Sequence, residues 1–340
     1  GSQVLATLEE YDTINVSPAL DIALGGGIRE GQCVVMTGDP KTGKTTTALY
    51  FAAKAQEQGK NVVYFNTEGR LTKENFKGIK NLDIDKIEIV QATDKQPLVS
   101  AEKYLNSLET YIKNTPDLVA IIDSTSNMVP QDELDGEIRT GVRNALPRLL
   151  SMFFKRVSGD VARMRAICIF ITHNIANTGG SRFAPLKMAD CGNMLQFQAG
   201  TNMVITHRGR WEVPKDSGNH IGQVANWVVK TSAAGGTPNK TASSWIRYGI
   251  GIDEAQEVAQ IATELTMINR SGAWYTISSC VDNADDPLIK SWLLENNIEE
   301  KPEVIAKAFK FQGMEKLVKF LEDNPDICNF LYDEIKEIFV

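Results

Sequence analysis

The sequence of 340 residues predicts an α/β fold: a mainly parallel sheet with helices on both faces, and a small α+β unit behind it. Three observations carry this. Short apolar runs alternate with amphipathic stretches over the first 280 residues. The run at 118–123, LVAIID, is almost continuously apolar, as strands buried on both faces are. Past residue 268 the chain turns acidic and helical.

In chain order, residues 32–37 (QCVVMT) read as a buried strand ending at Gly38, and 45–58 as a helix closed by Gly59. Strands follow at 61–66 (NVVYFN) and 86–91 (KIEIVQ), a helix at 97–113, the strand 118–123, a helix at 141–157 and a strand at 166–172 (AICIFIT). That order implies a parallel sheet covered on both faces. Beyond residue 201 the pattern becomes antiparallel, with strands at 202–207, 223–230 and 241–247. A helix at 254–267 and a hairpin around 272–277 complete the reading. The expected divisions are a short N-terminal segment (1–16), a core (17–268) and a C-terminal α+β domain (269–340).

Composition is that of a globular protein, with 42% hydrophobic and 23% charged residues. No apolar run is long enough to predict a transmembrane helix, and the opening residues lack the basic and apolar regions of a signal peptide. Gly1-Ser2 looks like a cloning remnant, which leaves a natural start upstream open. Cys33, Cys168, Cys191, Cys280 and Cys328 are scattered and odd in number, so buried thiols in a reducing cytoplasm are expected rather than disulfides or a zinc site.

The net charge of −7 argues against nucleic acid until it is divided. Residues 281–340 hold 14 acids and 7 bases, which accounts for all of it. Between 136 and 187 only Glu137 and Asp160 oppose nine arginines and lysines. Such a local excess attracts phosphates even on an acidic protein, although any single base there could equally lie on a solvated helix face.

The strongest motif is Gly38-Asp39-Pro40-Lys41-Thr42-Gly43-Lys44-Thr45, which fits G-x-x-x-x-G-K-[ST] and stands between a predicted strand and a predicted helix. The glycines let backbone N–H groups turn inward around phosphate oxygens, and the helix N-terminus adds its dipole. Residues 38–46, with Thr46 in the first turn, are the expected ATP cradle. Lys44 should reach the β and γ phosphates, and Thr45 should offer its hydroxyl to Mg²⁺. Asp123 ends a core strand expected beside the P-loop strand, where an acid supports Mg²⁺. Glu68 follows the strand 61–66; it is either a carboxylate that polarises the attacking water or an exposed loop glutamate.

Here the residues resemble a family. The segment 17–46, SPALDIALGGGIREGQCVVMTGDPKTGKTT, resembles the RecA recombinases throughout. The resemblance continues at Glu68, VAIIDS (119–124), DELDGEI (132–138), IFITHN (169–174), GNMLQF (192–197), SGAWY (271–275) and QGMEKLVKFLEDNP (312–325). It spans roughly residues 13–330 and implies an ATP-dependent recombinase, a DNA-dependent ATPase. Such a protein coats single-stranded DNA as a filament and pairs it with homologous duplex.

The resemblance makes Glu68 the water-activating carboxylate. It places DNA loops at 136–143 and 174–192, with Arg139, Arg143, Arg182 and Phe183 as DNA contacts. Phe183 would wedge into the base stack, or pack on its own domain. His173 stands where bacterial members carry a glutamine thought to sense the γ-phosphate; a histidine there resembles phage-encoded members, and could also be structural. Phe197 would pack on the neighbouring subunit or in its own core. Lys230 would reach the neighbour's ATP, or lie on the surface.

Two departures stand out. Ser232 replaces a second lysine of bacterial members, which puts DNA-coupled hydrolysis in question. Only about fifteen residues precede Ser17 where the family has a helix and strand that dock on the next subunit; either the start has been trimmed or this member polymerises differently, and the chain as given is expected to form filaments poorly. Long filaments on single-stranded DNA with ATP at low salt would refute that. The rival readings are a helicase motor of the same fold, against which the C-terminal motifs speak, a non-catalytic mediator, against which Lys44, Glu68 and Asp123 speak, and a small-molecule kinase, which should lack the DNA loops.

Overall fold

A computed structural model describes residues 10–95, 97–136, 145–176, 187–189, 194–214 and 216–339. A two-residue pair opens it, β1 (Thr13–Ile14) antiparallel to β2 (Ile28–Arg29). The main sheet then takes β3 (Gln32–Gly38), β4 (Asn61–Asn66), β5 (Ile87–Gln91), β6 (Leu118–Asp123), β7 (Ile167–Ala176), β8 (Lys187–Ala189), β9 (Thr201–Glu212), β10 (His220–Thr231), β11 (Lys240–Arg247) and β12 (Gly251–Ile252). Its order is β12-β11-β10-β9-β3-β7-β6-β4-β5, with β8 paired to β7. From β9 to β5 every pair is parallel; the β9–β12 end is antiparallel.

Alternation along the parallel strands feeds two cores. Val34, Met36, Val62, Tyr64, Ile121 and Ile169 face one way, into a cluster with Leu49 and Phe51 of the helix Lys44–Glu57. Val35, Val63, Phe65, Ile122 and Phe170 face the other, against the helices Ala101–Asn114 and Ala145–Arg163. Burial on both faces is what suppresses polar alternation in these strands.

Several boundaries differ from the sequence reading. The helix expected from 97 begins at Ala101, because Ser100 is extended and its hydroxyl accepts from Lys103 N–H. The helix expected to reach 267 ends at Glu264, because Thr266 takes φ +62° to turn the chain into β13 (Ile268–Ser271). The helix ending at Arg163 was expected to stop at 157; its start at 141–144 lies outside the described residues. β7 runs on to Ala176, four residues past expectation, because β8 pairs with its extension. Most instructive is the sheet order: β6 is not beside the P-loop strand, since β7 lies between β3 and β6. Cys33, Cys168 and Cys280 are buried free thiols and Cys328 is half-buried; Cys191 lies outside the described residues.

The hairpin of β13 with β14 (Trp274–Ile277) gains a third strand, β15 (Lys310–Gln312), that the sequence did not announce. A third core joins these strands to the C-terminal helices and begins inside the helix Glu254–Glu264, with Ala255, Val258, Ala259 and Ala262. Polar links fasten its C-terminal helices to the rest. Arg247 pairs with Glu322 at 2.8 Å, and the Tyr332 hydroxyl donates to Asp21.

Asp21 is 1% exposed and also accepts from Val16 N–H at 2.7 Å and Asn15 Nδ2 at 3.0 Å. Burial outweighs these donors and pushes its carboxyl up to about 7 from 3.8. A carboxyl raised by folding lends stability in full below its unfolded value and loses it as pH climbs through the folded one. The melting temperature should therefore fall by roughly 5 °C as pH rises from about 5 to about 8. Asp21→Asn, which keeps an acceptor for Tyr332, should flatten that fall. Thermal unfolding followed by circular dichroism across this range checks it; an equally steep fall in the variant assigns the effect to another group.

Candidate functional site

The candidate nucleotide cradle is built where β3 ends. All seven residues of β3 are buried, so the strand is fixed, and the chain then curls through residues 39–43 into the helix Lys44–Glu57. Gly43 is required twice over. Its φ is +106°, and a Cβ there would meet Ile246 Cδ1 at 2.4 Å. The first turn of the helix follows directly, with the unpaired N–H groups that favour anions.

The strands beside β3 each hold this loop by one side chain. Asn174 on β7 donates to Asp39 Oδ1 at 3.3 Å. Arg208 on β9 donates to the Lys41 carbonyl at 3.0 Å. Inside the loop, Thr42 Oγ1 donates to the Asp39 carbonyl at 2.8 Å. Lys44 is 4% exposed and donates to the carbonyls of Gly38 (2.9 Å) and Asp39 (2.7 Å). Burial brings its ammonium down to about 8, against the pull of Asp123, Glu68 and Asp39. A charge held at that expense is one an incoming anion would restore.

Thr45 Oγ1 donates to Asp123 Oδ2 at 2.6 Å, so the two meet although a whole strand separates β3 from β6. The helix crosses over β7 and brings Thr45 with it. Tyr64 on β4 donates to the same Asp123 oxygen at 2.6 Å. Burial raises the Asp123 carboxyl, and the Thr45 and Tyr64 hydroxyls draw it back. A hydroxyl and a carboxylate side by side at the phosphate end of the loop are hard oxygen donors, the set that suits Mg²⁺.

Glu68 lies just beyond β4. Its Oε1 accepts from Ser124 Oγ at 2.8 Å and lies 2.7 Å from His173 Nε2. The His173 contact, supported by Ser124 and Arg70, holds the Glu68 carboxyl below its ordinary range despite partial burial. The His173 backbone N–H donates to Ser126 Oγ at 3.0 Å, while its Nδ1 is buried with no partner among the described residues. Glu68, His173 and Asp123 share one cavity of about 690 Å³ with residues 40–46.

That cavity also takes in Arg208, Gln223 and Tyr248, the last 60% exposed beside it. None of these stands in a motif, and all three are far from the P-loop in sequence. An exposed aromatic at the mouth of a phosphate site is placed to meet a base face.

Lys230 stands apart. Its neighbour Val229 pairs with Met203, and Met203 with Met36, so Lys230 is level with the middle of β3 rather than the P-loop end. It is exposed and donates to Asn239 Oδ1 at 3.3 Å. Ser232 is engaged within the chain: its hydroxyl donates to the Leu24 carbonyl, which also accepts from Gly236 N–H at 3.1 Å. A Cβ on Gly236 would meet that carbonyl group at 2.5 Å. Arg139, Arg143, Arg182 and Phe183 lie outside the described residues, and of Phe197 only its place in the helix Met194–Gln198 is described.

Comparison with known proteins accounts for this geometry. Residues 4–253 match the family described as RecA N-terminal domain. The chain belongs to the RecA family. It is 30% identical over 325 residues to Protein RecA of Acholeplasma laidlawii, covering 95% of this chain and 86% of the relative. It is 29% identical to the Protein RecA of Thermotoga petrophila (94% of this chain, 81% of the relative) and of Rickettsia bellii (95% and 87%). As a RecA-family protein it is an ATP-dependent DNA recombinase and a DNA-dependent ATPase. Among the described residues no helix is long and apolar enough to cross a membrane. No phage origin follows from these relatives.

Proposed function

We propose that this RecA-family protein uses ATP as a switch for its grip on DNA. The observation that carries the reading is the meeting of Lys44, Thr45, Asp123, Glu68 and His173 at one cavity. The residue roles follow from chemistry. Residues 38–46 bind the triphosphate, with Lys44 countering charge on its β and γ phosphates. Thr45 and Asp123 would hold Mg²⁺, which when bound neutralises charge on the phosphate oxygens. Glu68 takes a proton from the attacking water, and His173 and Ser124 keep its Oε1 in place. His173, on the strand that leads into the second DNA loop, passes the state of the site to that loop.

Single-stranded DNA is then held along the loops 136–143 and 174–192 by Arg139, Arg143, Arg182 and Phe183. Double-stranded DNA is the partner for pairing and strand exchange. Subunits of the full-length protein assemble into a helical filament with ATP at each junction, Phe197 against the neighbour and Lys230 reaching the neighbour's nucleotide, an assembly weakened for the chain as given. Its place of work is the bacterial cytoplasm.

ATPase rate with and without single-stranded DNA, followed by a strand-exchange assay, tests the whole reading. DNA binding that is indifferent to nucleotide would sink it. A narrower prediction concerns the first loop. Replacing Arg139 and Arg143 together by alanine should weaken single-strand binding and reduce the slope of log affinity against log salt by about 1.5. Fluorescence anisotropy titrations at several salt concentrations read this, and an unaltered slope places the phosphate contacts elsewhere.

A further inference from the structure

The Asp39–Asn174 pair has a use that the catalytic groups leave unfilled. A carboxylate at the second position of a phosphate-binding loop is electrostatically awkward, because the triphosphate arrives with the same sign of charge. Here that carboxylate is half-buried and turned toward β7, where the Asn174 amide donates to it. The register makes the meeting unavoidable. Gly38 and His173 are partners across β3 and β7, so the next residue of each strand leaves the ladder at the same level. Asn174 is at the same time the ladder partner of Ala189 on β8, at the base of the β7–β8 ribbon. One asparagine thus touches the P-loop with its side chain and the ribbon with its backbone.

Resting on the switch reading above, we infer that Asp39 and Asn174 form a nucleotide-responsive latch that positions the base of the β7–β8 ribbon, a second link beside His173. Two forces act on it: repulsion shortens the Asp39–Asn174 bond, and the pull of Lys44 draws the joined pair toward the site. Phosphates entering the loop repel the Asp39 carboxylate toward β7. Lys44, whose ammonium grips the Asp39 carbonyl at 2.7 Å, carries the Asp39 backbone with it as it turns to the phosphates. The amide bond is 3.3 Å long, beyond the usual 2.9–3.0 Å for N–H···O, so it has room to tighten. Tightening draws β7 and its partner β8 toward the filled site. Asn174 is a positioning residue in this scheme, acting through Asp39 without touching substrate.

The test is the ratio of single-stranded oligonucleotide affinity with and without a non-hydrolysable ATP analogue, measured on the full chain. Asn174→Ala removes the donor, and Asn174→Asp sets two carboxylates against each other. Both should reduce the wild-type ratio by about threefold to tenfold. The exchanged pair, Asp39→Asn with Asn174→Asp, restores a donor facing a carboxylate and with it the link through which Lys44 pulls, so it should recover part of the ratio, which a merely structural asparagine would not do. Equal melting temperatures across the set guard against misfolding, and the exchanged pair carries the test if a single variant unfolds. A ratio kept within twofold in both single variants, or not recovered in the exchanged pair, overturns the latch alone. A wild-type ratio of one overturns the switch reading and the latch together.

Discussion

Lys44→Ala should abolish ATP turnover and the nucleotide-dependent part of DNA binding, and should leave thermal stability unchanged or raised. The two halves share a cause. In the empty site the ammonium is buried, its partners are two carbonyls, and its pKa is brought down to about 8. A lysine whose folded pKa is depressed below 10.5 weakens the fold while it stays charged, so stability from this group rises with pH from about 8 toward 10.5. Alanine removes that burden. A triphosphate, by contrast, needs the charge, and its affinity for the native protein should fall as pH rises past about 8. Titration calorimetry with ATP reads the first effect and thermal unfolding the second. Native-like ATP affinity in the alanine variant would remove Lys44 from the phosphate site.

Glu68→Gln should separate binding from turnover. The amide has the shape of the carboxylate and can still accept from Ser124 and from His173, but it takes no proton from water at neutral pH. ATP affinity should stay within a few-fold, while hydrolysis drops by at least about 10²-fold, the scale of a lost general base. If hydrolysis ends the DNA-holding state, complexes with single strands should live correspondingly longer. Single-turnover hydrolysis and dissociation kinetics from a labelled oligonucleotide measure both. Ordinary turnover would transfer the role to another group, and Asp123 is a second carboxylate that lines the same cavity.

What the sequence disclosed depended on whether the chemistry was contiguous. The P-loop is one stretch with a strand before it and a helix after it, so its place could be read directly. Asp123 and His173 each follow an apolar strand run, which made them visible as strand-end polar residues. The Glu68–His173 contact spans 105 residues and nothing in the sequence announced it; resemblance gave the two residues only separate roles. Ser124, Arg208, Tyr248 and the Asp39–Asn174 bond had no local pattern: each depends on which strands become neighbours, and the insertion of β7 between β3 and β6 decides most of it. Boundaries erred where one residue's conformation ended an element, as at Ser100 and Thr266. β15, three residues long and polar at both ends, carries no alternation to detect.

The third core, begun within the helix Glu254–Glu264, bears on how the molecule can be cut. A truncation after residue 268 would keep the whole cavity yet strip the cover from Val258, Ala259 and Ala262, and would take Glu322 from Arg247 and Tyr332 from Asp21. Such a fragment should be adhesive and prone to precipitate through its newly bared helix. Anyone wanting the small unit by itself would do better to begin the gene fragment before Asp253, so that the shared helix travels with it and keeps Asp253, whose carboxylate accepts from Gln256 N–H at its first turn.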